Sequence, residues 1–198
     1  MIFIGPAGWS YKDWYGKVYP SPKPRGFDEL AYIARYFDTV EVNSSFYAPM
    51  RAAQTATWIE RTAHNPRFLF TVKLLGRFVN IDQPPGTGIT PSARATAPVG
   101  YIRLHGRNLD SWFRGDAGVN ERYDYLYSAR ELEPWRDRAL QLERESRQVF
   151  VITNNHFEGQ AVANAAMLKA GIERRAVQMP PTLFDAYPEL LQGITTAT

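Results

Sequence analysis

Short apolar runs alternate with amphipathic segments along this chain, a pattern typical of proteins in which strands and helices take turns. Strands are predicted from runs rich in Val, Ile and Phe, at residues 1–5, 39–47, 67–74, 79–82, 100–108 and 148–155. Helices are predicted where apolar residues recur at helical spacing, at residues 28–37, 54–63, 128–146 and 159–171. Residues 172–192 are expected to add a short strand, a turn and a closing helix. The alternation predicts a parallel sheet covered by helices, either doubly wound or closed into a barrel.

The two faces of the predicted strands differ in polarity, because alternate side chains of a strand point to opposite sides. Glu41 and Asn43 share one face of their strand, opposite Val40 and Val42. The same parity groups Thr71 with Lys73, Asn80 with Asp82, and Tyr101 with Arg103 and His105, and the strand 148–155 ends in Asn154 and Asn155. A doubly wound sheet is apolar on both faces of its middle strands. The inner face of a barrel turns polar at its catalytic end, so the pattern favours a TIM (β/α)8-like barrel as one domain over residues 1–198.

The series of strands and helices is interrupted after Leu74. The next predicted strand begins at Val79, whereas a parallel crossover needs about a dozen residues. These two strands therefore form an antiparallel pair, or a segment is missing between them. The length of 198 residues is also short for a barrel of about 250 residues.

Composition and charge narrow the function classes only slightly. The net charge is +3 and aromatic residues make up 14% of the chain, so a nucleic-acid or phosphorylated partner is permitted without being required. The chain has no cysteine, which excludes disulfides and thiolate chemistry. No apolar run reaches membrane-spanning length, and the N-terminus lacks the pattern of a signal peptide. We expect a cytoplasmic protein that does not act at a membrane.

Five segments of the sequence are distinctive: GWSYKDWYGKVYP, FDTVEVNSSFY, FTVK, GYIRLHGRN and VFVITNNHFEGQAVANA, in this order. Together and in this order they resemble the DUF72 family, also known as the YecE-like family. The resemblance implies a TIM-barrel-like fold and positions for a site, but no reaction. Family members carry further segments between the VK strand and the NIDQP strand. Here the two meet near Phe78 and Val79, which favours an omitted segment over a deletion that would expose sheet edges.

The candidate site consists of the polar residues at the carboxyl ends of the strands, where barrel enzymes carry their chemistry. His105 is predicted to transfer a proton, with Glu41 and Asp82 orienting it or acting as the base. Lys73, Arg103 and Arg107 are predicted to bind a phosphate or carboxylate. Further substrate contacts are predicted for Asn43, Asn154, Trp9, Tyr11 and Tyr47. No cofactor is predicted, since Gly5, Gly8 and Gly16 do not form a dinucleotide-binding fingerprint.

Structural explanations compete with each of these roles. The charged groups of mixed sign could satisfy one another as an ion-pair plug, with Glu41 and Asp82 neutralising Arg103 or Lys73. Neighbouring carboxylates could hold His105 in a structural role, and about half of the aromatic side chains could pack the first loop onto the sheet. Glu41 and Asp82 could also hydrolyse a glycosidic bond. A metal site from Glu41, Asp82, His105 and His156 is the least favoured alternative, because the spacing does not support it.

Three hypotheses on function follow from these observations. The first is an enzyme of hydrolase or isomerase type that acts on an anionic or polyhydroxylated small molecule, such as a phosphoester or a sugar. The second is a protein that binds or processes nucleic acid with its basic mouth and aromatic rim. The third is a non-catalytic ligand sensor. The sequence does not decide the substrate, metal dependence or oligomeric state.

Overall fold

A computed structural model describes residues 1–73, 97–112, 114–116 and 118–197, without the side chains of 109, 112, 119 and 195–197. The strands are β1 (Ile2–Pro6), β2 (Thr39–Val42), β3 (Leu69–Val72), β4 (Val99–Leu104), β5 (Gln148–Thr153), β6 (Val177–Met179) and β7 (Thr195–Ala197). The helices are α1 (Glu29–Ile33), α2 (Ala52–Thr62), α3 (Leu109–Trp112), α4 (Val119–Tyr123), α5 (Ala129–Glu145), α6 (Gln160–Glu173), α7 (Pro181–Ala186) and α8 (Pro188–Leu191).

Parallel strands form the centre of the molecule, in the order β3-β2-β1-β5-β4. β5 pairs with β1 on one side and with β4 on the other, and β2 pairs with β3, all in parallel. β1 and β2 are joined by a bridge between Ala7 and Glu41 and by a hydrogen bond from the Gly8 N–H to the Glu41 carbonyl (2.9 Å). β6 and β7 form a separate parallel pair. The predicted α/β class with parallel strands is thus confirmed.

The central sheet is curled. In a flat sheet, β2 and β4 would lie three strand spacings apart, or roughly 14 Å. Nevertheless, the guanidinium of Arg103 on β4 lies 2.7 Å from the carboxylate of Glu41 on β2. The side chains that share parity with these two therefore line a concave inner face. The predicted barrel itself is not confirmed, since the strands in the described ranges form an open sheet and not a closed cylinder.

Gly5 allows β1 to approach β2 closely at the centre of this sheet. A Cβ built on Gly5 would lie 1.8 Å from the carbonyl oxygen of Thr39. Any larger residue would push the two strands apart, so the position of Glu41 relative to β1 depends on this glycine.

The outer face of the sheet carries the main core. Its side chains alternate with those of the inner face and pack against the helices; Val40, Val42, Val149 and Val151 are buried there. α6 lies in the middle of this layer and is buried on nearly all sides, from Gln160 to Leu168. Neither α6 nor any other described helix is long and apolar enough to cross a bilayer.

The predicted helix 128–146 is confirmed with its capping box. The Ser128 hydroxyl accepts from the Glu131 N–H, and the Glu131 carboxylate accepts from the Ser128 N–H (2.9 Å). Leu132, Ala139 and Leu142 form its buried stripe, and Pro134 is tolerated near the start of the helix.

Three predicted boundaries were wrong. β2 ends at Val42, because residues 43–46 turn into a 3₁₀ helix in which the Ser45 hydroxyl donates to the Val42 carbonyl (2.7 Å). Gly171 does not stop α6, which continues to Glu173 and ends with Arg174 in the left-handed region. No helix was predicted between residues 109 and 127, which contain the short helices α3 and α4. The predicted strand 79–82 and the junction at Phe78 and Val79 lie outside the described residues.

Candidate functional site

A buried ion pair forms the base of the candidate site on the inner face. Glu41 is 2% exposed. Its carboxylate accepts from Nη2 and Nε of Arg103 at 2.7 and 3.0 Å, and the hydroxyl of Tyr101 donates to the same carboxylate. The predicted shared parity of these three residues is therefore confirmed by direct contact. Such a pair holds the guanidinium in a fixed orientation, because two of its nitrogens bind one carboxylate.

His105 extends this pair toward the carboxyl ends of the strands. Nη1 of Arg103 lies 2.8 Å from Nε2 of His105. Nδ1 of the same ring lies 3.2 Å from Nη1 of Arg103 and 3.2 Å from Nδ2 of Asn154. A guanidinium only donates hydrogen bonds, so a hydrogen bond from Arg103 to this ring requires a ring nitrogen that carries no proton. Glu41 therefore affects the position of His105 through Arg103, which contacts both residues, and not by a contact of its own.

Tyr11 and Asn43 form a second group beside the first. The Tyr11 hydroxyl donates to the carbonyl of Ala7 (2.8 Å) and accepts from Nδ2 of Asn43 (3.3 Å). Burial raises the pKa of Tyr11 well above its ordinary value, so the phenol is protonated at physiological pH and serves as a hydrogen-bond donor and acceptor.

His156 is a residue that sequence reasoning considered only for the metal alternative. Its ring lies between Tyr11 and Tyr123, with both ring centroids at 4.7 Å. Its carbonyl accepts from the indole of Trp14 (2.7 Å), and its Nδ1 is buried without a hydrogen-bond partner among the described residues. Burial lowers the pKa of His156 to about 4. The sequence signal was its place just beyond Asn154 and Asn155.

We expect the depressed pKa of His156 to make folding sensitive to acid. In the folded state the ring resists protonation down to pH 4, whereas the ordinary histidine pKa is 6.5. Between these values the unfolded chain binds the extra proton, so stability is full above pH 6.5 and falls as the pH drops toward 4, by about 3 kcal/mol. Urea titrations at pH 7 and pH 4.5 measure this loss. His156→Asn should reduce this difference in the free energy of unfolding between the two pH values, whereas His64→Asn, at an exposed histidine, should leave it unchanged. An equal difference in the two variants would contradict the prediction.

The structure places several predicted site residues away from this cluster. Arg107 points toward α5, where it lies 3.6 Å from Glu131, because Gly106 has a positive φ of 94° and ends the strand alternation. Trp9 is half-buried and packs against Trp58 at the margin of the core, with the ring centroids 5.2 Å apart.

Other predicted residues lie at the margin of the cluster or beyond the described ranges. Tyr47 is 82% exposed and contacts Phe46. The ammonium of Lys73 lies 4.6 Å from the centroid of the Phe46 ring. Asp82 lies outside the described residues, so its predicted part in the site stays a prediction. Within the described ranges, no three His, Asp or Glu side chains are grouped as ligands for a metal ion.

Fold and site together define an α/β protein with a curled parallel sheet and a polar cluster at the carboxyl ends of its strands. The chain belongs to the DUF72 family: the family model described as "Protein of unknown function DUF72" matches residues 3–83 and 76–186. The two matched segments overlap at residues 76–83, beside the junction that the sequence predicted.

Similar proteins support this membership. The UPF0759 protein YunF of Bacillus subtilis (strain 168) is 32% identical over 112 residues, which are 54% of this chain and 40% of that protein. The chain thus spans less than half of this curated relative. A DUF72 family protein from Thermotoga maritima MSB8 has a TM-score of 0.66 at 20% identity, covering 87% of this chain and 99% of that one. One from Enterococcus faecalis V583 has a TM-score of 0.67 at 17% identity, covering 87% and 96%. At these identities the structures support the fold alone.

Proposed function

We propose that this protein binds an anionic or polyhydroxylated small molecule at the mouth of a barrel-like sheet, with His105 as the proton-transferring group. The observation that carries the proposal is the chain of contacts from Glu41 through Arg103 and His105 to Asn154. It joins β2, the end of β4 and the end of β5 on the concave face.

The strand order supports the barrel-like part of the proposal. β5, late in the chain, lies beside β1, and β1 is followed by β2 and β3. In a closed (β/α)8 barrel a strand from late in the chain likewise lies beside the first strand, and the sites lie at the carboxyl ends of the strands. Arg103, His105 and Asn154 all lie at that end.

The contacts favour a positioning role for Glu41 over the role of base. A base must reach a proton of the substrate, but both carboxylate oxygens of Glu41 already accept from Arg103 and Tyr101 and the residue is buried. Glu41 holds Arg103, and Arg103 contacts the ring of His105. His105 at the mouth can exchange a proton with a bound hydroxyl once the ligand takes the place of Arg103 at the ring nitrogen, the step common to hydrolase and isomerase chemistry.

The second group adds recognition of a polar ligand. Tyr11 and Asn43 present a phenol and an amide beside the cluster, and Asn154 adds a second amide. Hydroxyl and amide groups of this kind bind the hydroxyls of sugars and the oxygens of phosphates.

The proposal predicts that His105→Gln weakens ligand binding without unfolding the protein. A thermal-shift screen with sugar phosphates and the matching unphosphorylated sugars identifies the probe, and calorimetry then compares its affinity for the wild type and the variant. The loss of a hydrogen bond to a charged group predicts a decrease of about 10- to 100-fold.

His64→Gln, at an exposed histidine on another surface, and Arg107→Gln, at a cation outside the cluster, are the matched controls and should bind as the wild type does. Equal affinity of His105→Gln and the wild type would contradict the proposal. Tight, strongly salt-dependent binding of single-stranded oligonucleotides, with no response to sugar phosphates, would favour the nucleic-acid alternative instead.

A further inference from the structure

A groove lies between α5, α6 and residues 190–194, on the helical side of the sheet. Its volume is about 410 Å³, which is within the range of pockets that bind small molecules. α6 packs against β1 and β5 on the outer face of the sheet, whereas the cluster around His105 lies on the inner face, so the groove is separate from the candidate site. The apolar side chains that line the groove are Leu132, Met167, Leu168, Leu190 and Ile194.

Three arginines line the groove near the C-terminal end of α6. Arg136 comes from α5, and Arg174 and Arg175 directly follow the last residue of α6. Glu133 of α5 also lines the groove, so the charged side chains of its lining have an excess of positive charge. A guanidinium binds carboxylate and phosphate oxygens through two parallel hydrogen bonds. An apolar floor beside such groups complements a ligand with an apolar body and an anionic group.

Gly171 allows Arg136 to reach this end of the groove. A Cβ built on Gly171 would lie 3.3 Å from Cδ and 4.0 Å from Cγ of Arg136. The aliphatic part of Arg136 therefore lies directly against the backbone of α6. Glycine inside a helix is destabilising relative to alanine, and this close contact explains why a glycine stands there although the helix continues.

The turn at the end of α6 fixes the other two arginines. Arg174 has φ 53° and ψ 38°, a left-handed conformation that ends the helix and redirects the chain. Positive charge near the C-terminal end of a helix is favourable, so Arg174 and Arg175 are stable at this end of the groove before any ligand binds.

The ion pairs of these arginines leave them available to a ligand. Arg136 lies 2.8 Å from Asp137, and Arg175 lies 2.7 Å from Glu173. The side chains of Asp137 and Arg175 are 64% and 72% exposed. Exposed pairs of this kind contribute little to stability, so an anion in the groove can take the place of these carboxylates at small cost.

We propose that this groove binds an amphipathic anion, with its apolar body over Leu132, Met167 and Leu168 and its anionic group toward the arginines. The proposal rests on the shape and charge of the groove and is independent of ligand binding at the mouth of the sheet.

The first test compares three head groups on the same apolar chain. Calorimetry with the full chain measures the binding of dodecanoate, dodecyltrimethylammonium and dodecyl maltoside, each below the concentration at which it forms micelles. Dodecanoate should bind at least about 10-fold more tightly than the other two, because the arginines attract its carboxylate and repel the ammonium. Equal affinity for the three head groups, or no binding of dodecanoate, would overturn the proposal.

The second test places a charge in the groove. Ala176 is exposed and lines the groove. Ala176→Glu should weaken dodecanoate binding by about 5- to 10-fold through repulsion between carboxylates. Ala176→Gln adds a side chain of the same size without the charge and should bind as the wild type does. Equal affinity of the Glu and Gln variants would contradict the assignment of the anion to this groove.

The third test removes a charge without disturbing the fold. Arg174→Asn should weaken dodecanoate binding by about 3- to 10-fold, while circular dichroism stays unchanged because asparagine readily adopts the left-handed conformation. Arg144→Gln, at an exposed arginine of α5 beyond the groove, is the matched control and should bind as the wild type does. An Arg174→Asn protein that binds dodecanoate as tightly as Arg144→Gln would show that the head group does not lie at these arginines and would overturn the proposal.

Discussion

Replacing Glu41 by alanine is expected to lower the free energy of unfolding by about 3–5 kcal/mol. The substitution removes the buried carboxylate that accepts from two nitrogens of the Arg103 guanidinium, which is 11% exposed. The hydroxyl of Tyr101 loses its acceptor at the same time. Urea-induced unfolding at pH 7 measures the change, and the slope of the transition shows whether unfolding stays two-state.

Two further variants show whether the loss of stability comes from leaving a charge buried or from losing an ion-pair contact. Asp137→Ala removes one partner of the exposed pair between Arg136 and Asp137 and should change stability by less than about 1 kcal/mol. The double variant Glu41→Leu with Arg103→Met replaces both charges by apolar groups and should recover much of the loss. A cost for Glu41→Ala as small as that of Asp137→Ala would show that the pair is hydrated and would remove the basis for a positioning role of Glu41.

Replacing Gly5 by alanine is expected to cost about 3 kcal/mol or more. The added methyl group would lie 1.8 Å from the Thr39 carbonyl oxygen and 2.8 Å from its carbon. These atoms belong to the backbone of β2 and cannot rotate away, so β1 and β2 must separate. Thermal unfolding monitored by circular dichroism measures the loss, and Glu41 should move away from Arg103 as β2 shifts.

Gly118→Ala is the matched control for this prediction. Gly118 has a φ of −63°, which alanine adopts freely, and a Cβ there would meet no heavy atom within 4 Å. We expect its midpoint temperature to stay close to that of the wild type. A Gly5→Ala protein as stable as the Gly118→Ala protein would mean that the two strands lie farther apart than described.

The substitutions Glu41→Ala and Gly5→Ala both change the site as well as the stability of the protein. Glu41 and Arg103 lie on strands that are not neighbours, so they can touch only because the sheet is curved. A loss of their contact would therefore indicate a change in that curvature. A Glu41→Gln variant keeps the shape of the side chain but weakens its hold on Arg103. Should such a variant lose ligand binding while His105 remains intact, the positioning role of Glu41 would be supported beyond its role in stability.

Local sequence patterns predicted helices and strands well wherever the side chains followed a single helical or strand periodicity. The capping box of α5 and its stripe of Leu132, Ala139 and Leu142 were readable because both arise from the geometry of a single helix. The shared face of Glu41, Tyr101 and Arg103 was readable because alternation along a strand has a strict period of two.

Predictions failed where a single residue or a neighbouring element overrode the local pattern. Arg107 has the parity of Arg103, but the positive φ of Gly106 turns it toward α5. Gly171 looked like a helix stop, yet it lies within α6 beside the side chain of Arg136. Trp9 looked like part of an aromatic rim, but it is half-buried and packs edge-on against Trp58 of α2. None of these effects is visible without knowing which elements are adjacent.

The sequence by itself determined the alternation of strands and helices, the face on which the polar residues stand and the membership in the DUF72 family. These follow from local periods and from motifs, both of which are written along the chain. Only the tertiary structure decided that Glu41 reaches Arg103 across two intervening strands and that His156 lies between two tyrosines. These depend on the curvature and order of the strands, which result from packing among residues distant in sequence.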